Sequence, residues 1–268
     1  MGVAIIGGGN MGRAIAHSLL HTQTFLQSDI LVVETVSAKC EQLVDTIGCR
    51  VLEKIGAEIS QFTGVIVAVK PQMSSSVMEE LASFLASHQL VISIMAGIST
   101  RQMVQTLNHE AIVRVMPNTP SQIGEGMSVY FATPTVNQEQ LEFTKKILKA
   151  TGQALAVKNE DAIDAATAIS GSGPAYIFYI AEQMVASARQ LGFSEDEATL
   201  LVQQTIKGAV LLWEKQEISA GELRQQVTSP GGTTESALQT FTENKIDSNF
   251  QQGLQSAYQR AKELAQNS

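Results

Sequence analysis

The chain has 268 residues, 44% of them hydrophobic and 16% charged, enough to bury a full core in one or two domains. Its formal net charge of −8 argues against binding to nucleic acid or to an anionic membrane, both of which favour clustered Lys and Arg. Two cysteines, Cys40 and Cys49, are too few for a disulfide framework, and no run reads as a membrane span or signal peptide, so the expected location is the cytoplasm.

From the first residues onward, short apolar runs rich in Val and Ile alternate with amphipathic ones. The runs at 3–6, 30–33, 65–69, 90–94 and 112–116 read as buried parallel strands, with further strands at 127–132 and 154–157. Between them the pattern predicts helices over 11–20, 37–46, 74–86, 100–107 and 138–150. Alternation at this spacing implies βαβ units and a doubly wound sheet. After about Asn159 the strand signal stops, and helices are expected over 161–168, 175–191, 195–215, 220–227, 234–243 and 247–265. In the third of these, Val202, Ile206, Ala209, Val210 and Trp213 form one stripe, expected to serve core packing. The expected domains are 1–158 and 159–268, the second packing on the first and on another copy of itself.

The first strand runs into Gly7-Gly8-Gly9-Asn10-Met11-Gly12, a GxGxxG pattern that opens a helix. Gly7 permits the tight turn, Gly9 lets backbone approach a pyrophosphate, and Gly12 lets the helix sit close to the sheet. The helix's free N–H groups then face the phosphates. Glu34 ends the second strand, where an acidic residue accepts hydrogen bonds from the adenosine ribose and repels a 2′-phosphate. It favours NADH over NADPH. Ligands collect at the carboxyl ends of strands, so Val69-Lys70-Pro71, Met95-Ala96-Gly97 and the stiff Met116-Pro117-Asn118-Thr119-Pro120 loop belong to the same site.

Two Gly/Ser/Pro clusters feed helices in the second half, Ile169–Tyr176 and Val227–Glu235. In the latter, Gly231 through Glu235 offer N–H groups at a helix start, a seat for a small carboxylate, with the Thr233 and Thr234 hydroxyls beside it. Four histidines are present; His17 and His21 share a helix face, but no third ligand stands at a spacing that suits a metal, and none is expected.

Taken in order, GGGNMG at 7–12, AVKP at 68–71, RVMPNTP at 114–120, SGSGPAY at 170–176 and SPGGTT at 229–234 resemble the pyrroline-5-carboxylate reductase family over nearly the whole chain. The resemblance implies a Rossmann-like dinucleotide domain followed by an all-α dimerisation domain, and a homodimer that in some members assembles further. It implies reduction of Δ1-pyrroline-5-carboxylate to L-proline by NADPH or NADH, with Gly7, Gly9, Asn10, Met11, Gly12, Glu34, Val69, Lys70, Pro71, Ala96 and Asn118 on the cofactor. The turn Gly231, Gly232, Thr233 and Thr234 would hold the substrate carboxylate across the dimer from the cofactor. Thr234 would hydrogen-bond the ring nitrogen, Glu160 would stand on the substrate side, and Glu217 would take part in proton transfer. Glu34 departs from the neutral residue common in that loop, which puts the family's frequent choice of NADPH in doubt.

An imine protonates more readily than a carbonyl, so such a site needs positioning and electrostatics more than a strong acid. A β-hydroxyacid dehydrogenase is the nearest rival, but it relies on a lysine in the first long helix of its second domain. No lysine occurs between Ala162 and Ile206. A cofactor-binding sensor without activity is the rival of another class, and it would have no use for the Gly231–Thr234 turn.

Overall fold

The structure is a computed structural model that describes residues 2–266. Strands β1 (Val3–Ile6), β2 (Ile30–Val33), β4 (Gly64–Val67) and β5 (Leu90–Ser93) are buried along their whole length, as apolar runs covered on both faces must be. With β3 (Arg50–Leu52), β6 (Ile112–Met116), β7 (Gly126–Ala132) and β8 (Gly152–Ala156) they form an eight-stranded sheet in the order β3-β2-β1-β4-β5-β6-β7-β8. Pairing is parallel throughout except between β6 and β7, so β7 and β8 run against the rest. β3 was not expected. Its three residues are too few to show a period, and only pairing with β2 holds them extended.

Helices cover both faces. On one, Ile15 and Leu19 of α1 (Asn10–His21), Leu43 of α2 (Ser37–Ile47) and Phe143 and Ile147 of α5 (Gln138–Lys149) pack against Val3, Ile5, Ile66 and Ile92. On the other, Met78 and Leu81 of α3 (Ser74–Ala82) and Met103 and Leu107 of α4 (Thr100–Leu107) pack against Ala4, Val65, Val67 and Val91. The alternation of partners along each strand is the pleat, which sends successive side chains to opposite faces.

The expected helix over 161–168 ends early. α6 (Asp161–Ala166) gives way to a π turn, Thr167–Gly171, in which the Ser172 N–H reaches the Thr167 carbonyl. The Thr167 and Ser170 hydroxyls bond the carbonyls of Ile163 and Ala166, competing with the regular ladder.

By contact the chain forms two compact units, one running to Ser172 and resuming at Ala257, the other Gly173–Ser256. In the first unit α6 is bound to the sheet: Arg114 of β6 pairs with both Glu160 and Asp164. The second unit holds α7 (Gly173–Gln190), α8 (Glu195–Lys215), α9 (Ala220–Gln226), α10 (Thr233–Glu243) and the first half of α11 (Ile246–Gln266). Its apolar residues are largely uncovered. In the stripe expected to serve core packing, Val202 is buried, but Val210 and Trp213 are 50% and 53% exposed. That stripe is not the core of one protomer. No helix among the described residues is long and apolar enough to cross a membrane.

Candidate active site

β1 lies between β2 and β4, so the winding of the sheet reverses there, and a crevice opens at the strands' carboxyl ends. The Gly7–Gly12 loop leaves β1 at this point. Gly7 has φ 105°, and a Cβ on it would stand 2.7 Å from the Ala68 carbonyl oxygen and 3.1 Å from Val69 Cγ1. A Cβ on Gly12 would collide with the Gly7 carbonyl, so α1 sits at a distance only glycine permits. Gly9, by contrast, faces open space. It is the N-cap of α1, and no side chain caps that helix. The N–H groups of the first turn and the positive end of the helix are therefore presented bare, as a phosphate seat requires.

Glu34 follows β2 and is only 8% exposed. Its carboxylate accepts from the Gly8 N–H at 3.1 Å and the Val36 N–H at 3.0 Å, which fixes it beside the glycine loop. Gly8, which the sequence reading did not single out, is as constrained as its neighbours: a Cβ there would collide with Leu43 and crowd Glu34 Cβ at 3.1 Å. The signal was the run of three glycines beside an acid one strand away. Beneath Glu34, the Cys40 thiol donates to its carbonyl oxygen at 2.9 Å. Burial, and then the Glu53 and Glu34 carboxylates, push the Cys40 pKa up.

The other expected cofactor residues stand at the exits of adjacent strands on the same edge. After β4, Val69 is half-buried, Lys70 is exposed, and Pro71 opens a 3-10 turn. Ala96 follows β5, beside Gly97 at φ 76°. Asn118 follows β6; its Oδ1 accepts from the Met127 N–H at 2.9 Å and its Nδ2 donates to the Ser170 carbonyl at 3.0 Å. The structure thus brings together the glycine loop, Glu34 and Val69, and places Lys70, Pro71, Ala96 and Asn118 along the neighbouring strand ends.

In the second unit, Gly231 takes φ 73° and Gly232 is the N-cap of α10, again without a side-chain cap. The Gly231 N–H donates to Glu235 Oε2 at 2.7 Å and the Gly232 N–H to the Ser229 carbonyl at 3.0 Å. Two donors of the turn are therefore engaged within it, and Thr233 and Thr234 follow as the first residues of α10. Glu217 is exposed on the link between α8 and α9.

Glu160 belongs to the first unit, and both its oxygens are used. Oε1 accepts from the Thr100 N–H at 2.8 Å and from Arg114 Nη1 at 3.0 Å, and Oε2 accepts from the Thr100 hydroxyl. Arg114, 3% exposed, also donates to Asp164 Oδ1 at 2.7 Å. Sequence reasoning gave no role to Arg114, Thr100 or Asp164. The one hint was a lone Arg inside an apolar strand. His17 and His21 stack at 5.9 Å on α1.

Residues 160–264 match the family described as pyrroline-5-carboxylate reductase dimerisation, and residues 2–97 the family described as NADP oxidoreductase coenzyme F420-dependent. A pyrroline-5-carboxylate reductase of Pasteurella multocida is 38% identical, over 98% of this chain and 97% of that one. A solved pyrroline-5-carboxylate reductase from Coxiella burnetii superposes with a TM-score of 0.90 at 37% identity, covering 98% of both chains. A Plasmodium falciparum pyrroline carboxylate reductase, solved with NADP bound, superposes at 0.89 with 27% identity, covering 99% of this chain and 98% of that one.

Proposed function

The chain belongs to the pyrroline-5-carboxylate reductase family, and from that premise we propose that it reduces Δ1-pyrroline-5-carboxylate to L-proline with a hydride from NADH or NADPH. This is the final step of proline biosynthesis. The observation that carries the reading is the glycine loop: three close-packed glycines, an uncapped α1, and open space at Gly9 suit a dinucleotide pyrophosphate. The bound dinucleotide supplies the hydride. Gly7, Gly9, Asn10, Met11 and Gly12 seat its phosphates, Glu34 its adenosine ribose, and Val69, Lys70, Pro71, Ala96 and Asn118 line the remainder.

The chain's own residues bind and orient the imino acid. Gly231, Gly232, Thr233 and Thr234 shape the carboxylate seat at the start of α10. The Thr234 hydroxyl orients the ring nitrogen by a hydrogen bond; its own pKa is far too high for it to be a strong acid. Glu160 belongs to the substrate side and Glu217 to proton delivery. Glu34, fixed by two N–H groups, sets a negative charge where a 2′-phosphate would come, so NADH is the preferred donor. A homodimer formed through residues 159–268, working in the cytoplasm, completes the proposal.

The test is absorbance loss from NADH and NADPH, run in parallel with pyrroline-5-carboxylate. Rapid oxidation, faster with NADH, is expected. Oxidation of neither, with cofactor bound to folded protein, overturns the assignment of substrate.

A further inference from the structure

We propose that Glu160 is a positioning residue for hydride transfer, acting through Thr100 and Arg114 rather than by touching the substrate. The proposal rests on the reduction proposed above and specifies how one residue of that site works.

Both oxygens of the Glu160 carboxylate are spent inside the protein, on the Thr100 N–H, the Thr100 hydroxyl and the Arg114 guanidinium. Little of it is left to meet a ligand, so its influence lies in what it holds. Thr100 opens α4 and follows the turn that carries Ala96 and Gly97 out of β5. Arg114 is in β6, whose exit carries Asn118. Glu160 is the N-cap of α6, which runs into the π turn Thr167–Gly171. One carboxylate therefore joins the exit of β5, the strand β6 and the start of α6. Asn118 ties the far end of the same assembly, through the Ser170 carbonyl.

Helix capping explains only the bond from the Thr100 N–H, since the Thr100 hydroxyl and Arg114 also bind the carboxylate. α4 already has its own cap, since Ser99 Oγ accepts from the Gln102 N–H at 3.2 Å. The Glu160 contact adds a second hold, on the first residue of the helix. Nor is the ion pair an incidental surface contact, because Arg114 is 3% exposed and its Nε finds no partner among the described residues. Irregular π turns often occur beside functional sites, and a misplacement of about 1 Å at a reacting centre costs about 10²-fold in rate. Loosening this junction shifts the Ala96 turn against the β6 exit, the two segments the proposed cofactor residues occupy.

The experiment uses the full chain with Thr100→Val, Glu160→Gln, the double variant and Thr100→Ser. It reads kcat and KM, the Kd for NADH, the isotope effect with deuterated NADH, and the fluorescence of bound NADH. Expected for Thr100→Val and Glu160→Gln is a loss of about tenfold or more in kcat with Kd nearly unchanged, a larger isotope effect, and bound-NADH emission closer to that of free cofactor. The double variant is expected to be no worse than the poorer single, and Thr100→Ser to recover most of the loss. Wild-type kcat and emission in variants that only melt earlier would overturn the proposal. So would an effect confined to KM for the imino acid, which would assign Glu160 to direct substrate contact instead. The emission needs no turnover: if wild type fails to reduce the substrate while the emission responds as expected, the reaction is refuted and the positioning role stands.

Discussion

At the scale of single residues, the cofactor crevice is shaped more by what is absent than by what is present. No side chain fits at Gly7, Gly8 or Gly12 without collision, whereas Gly9 opens on free space. Glu34 is a charged group fixed beside this loop, and its two backbone donors keep it there at the cost of its own mobility. Hydrogen bonds to a charged group are worth about 1.5–3 kcal/mol. Glu34→Ser is therefore expected to raise the Kd for NADH by roughly tenfold, since about 1.4 kcal/mol is a factor of ten. It should also tighten NADPH, whose 2′-phosphate no longer meets a carboxylate. Fluorescence titration with both cofactors checks this, and an unchanged preference ratio would make Glu34 a structural brace for Gly8. The motif glycines and Glu34 were legible because their spacing alone states the geometry. Arg114 was not, since its partners lie 46 and 50 residues away and only the packing of α6 on β6 brings them within reach.

At the scale of elements, helix starts in the second half were written locally and were read nearly to the residue. α8 and α9 each begin with a reciprocal box, Ser194 with Glu197 and Ser219 with Glu222. The Ser194 backbone N–H and hydroxyl hold the Glu197 pKa below its ordinary value, and the Ser219 hydroxyl and N–H do the same for Glu222. A carboxylate with a depressed folded pKa stabilises above its unfolded pKa, and that contribution is lost as pH falls through the folded value. The first turns of α8 and α9 are thus expected to lose hydrogen-exchange protection, corrected for intrinsic rate, as pH falls below the ordinary glutamate value of about 4.3, before the helix centres do. Glu197→Gln should show the loss in α8 already at neutral pH. Equal protection at both ends throughout would mean that the boxes add nothing to these helices. Where an element depends on distant partners, local reading stopped short: β3 exists only through β2, and the last turn expected of α6 widened into a π turn.

At the scale of the whole molecule, the two compact units differ in kind. The sheet unit has a core of buried aliphatic side chains on both faces. In the helical unit, Phe178, Leu191, Leu200 and Trp213 are 66%, 81%, 67% and 53% exposed, and Ala198 and Val202 are among its few buried apolar residues. Apolar surface on this scale marks an association face, and the dimerisation family matched by residues 160–264 identifies the partner as a second copy. Burying one such side chain is worth about 1.5–3 kcal/mol, so a charge placed there is severe. Phe178→Glu and Leu200→Glu are expected to lower the mass seen in sedimentation to that of one chain and to lower the melting temperature. The sheet unit should still bind NADH in such a variant. Wild-type mass in both variants would place the interface on other faces of the helices.

The sequence by itself determined the alternating α/β order, the glycine loop with its acidic companion, and the all-helical second half, because each is stated by local period and spacing. The tertiary structure decided the rest. It placed β7 and β8 against the direction of the other strands, buried Arg114 between two carboxylates, and turned a stripe that reads as core into an uncovered face. The physical reason is common to all three. A side chain's partner across the chain, or on another chain, leaves no periodic trace in the residues around it, and only folding brings the two together.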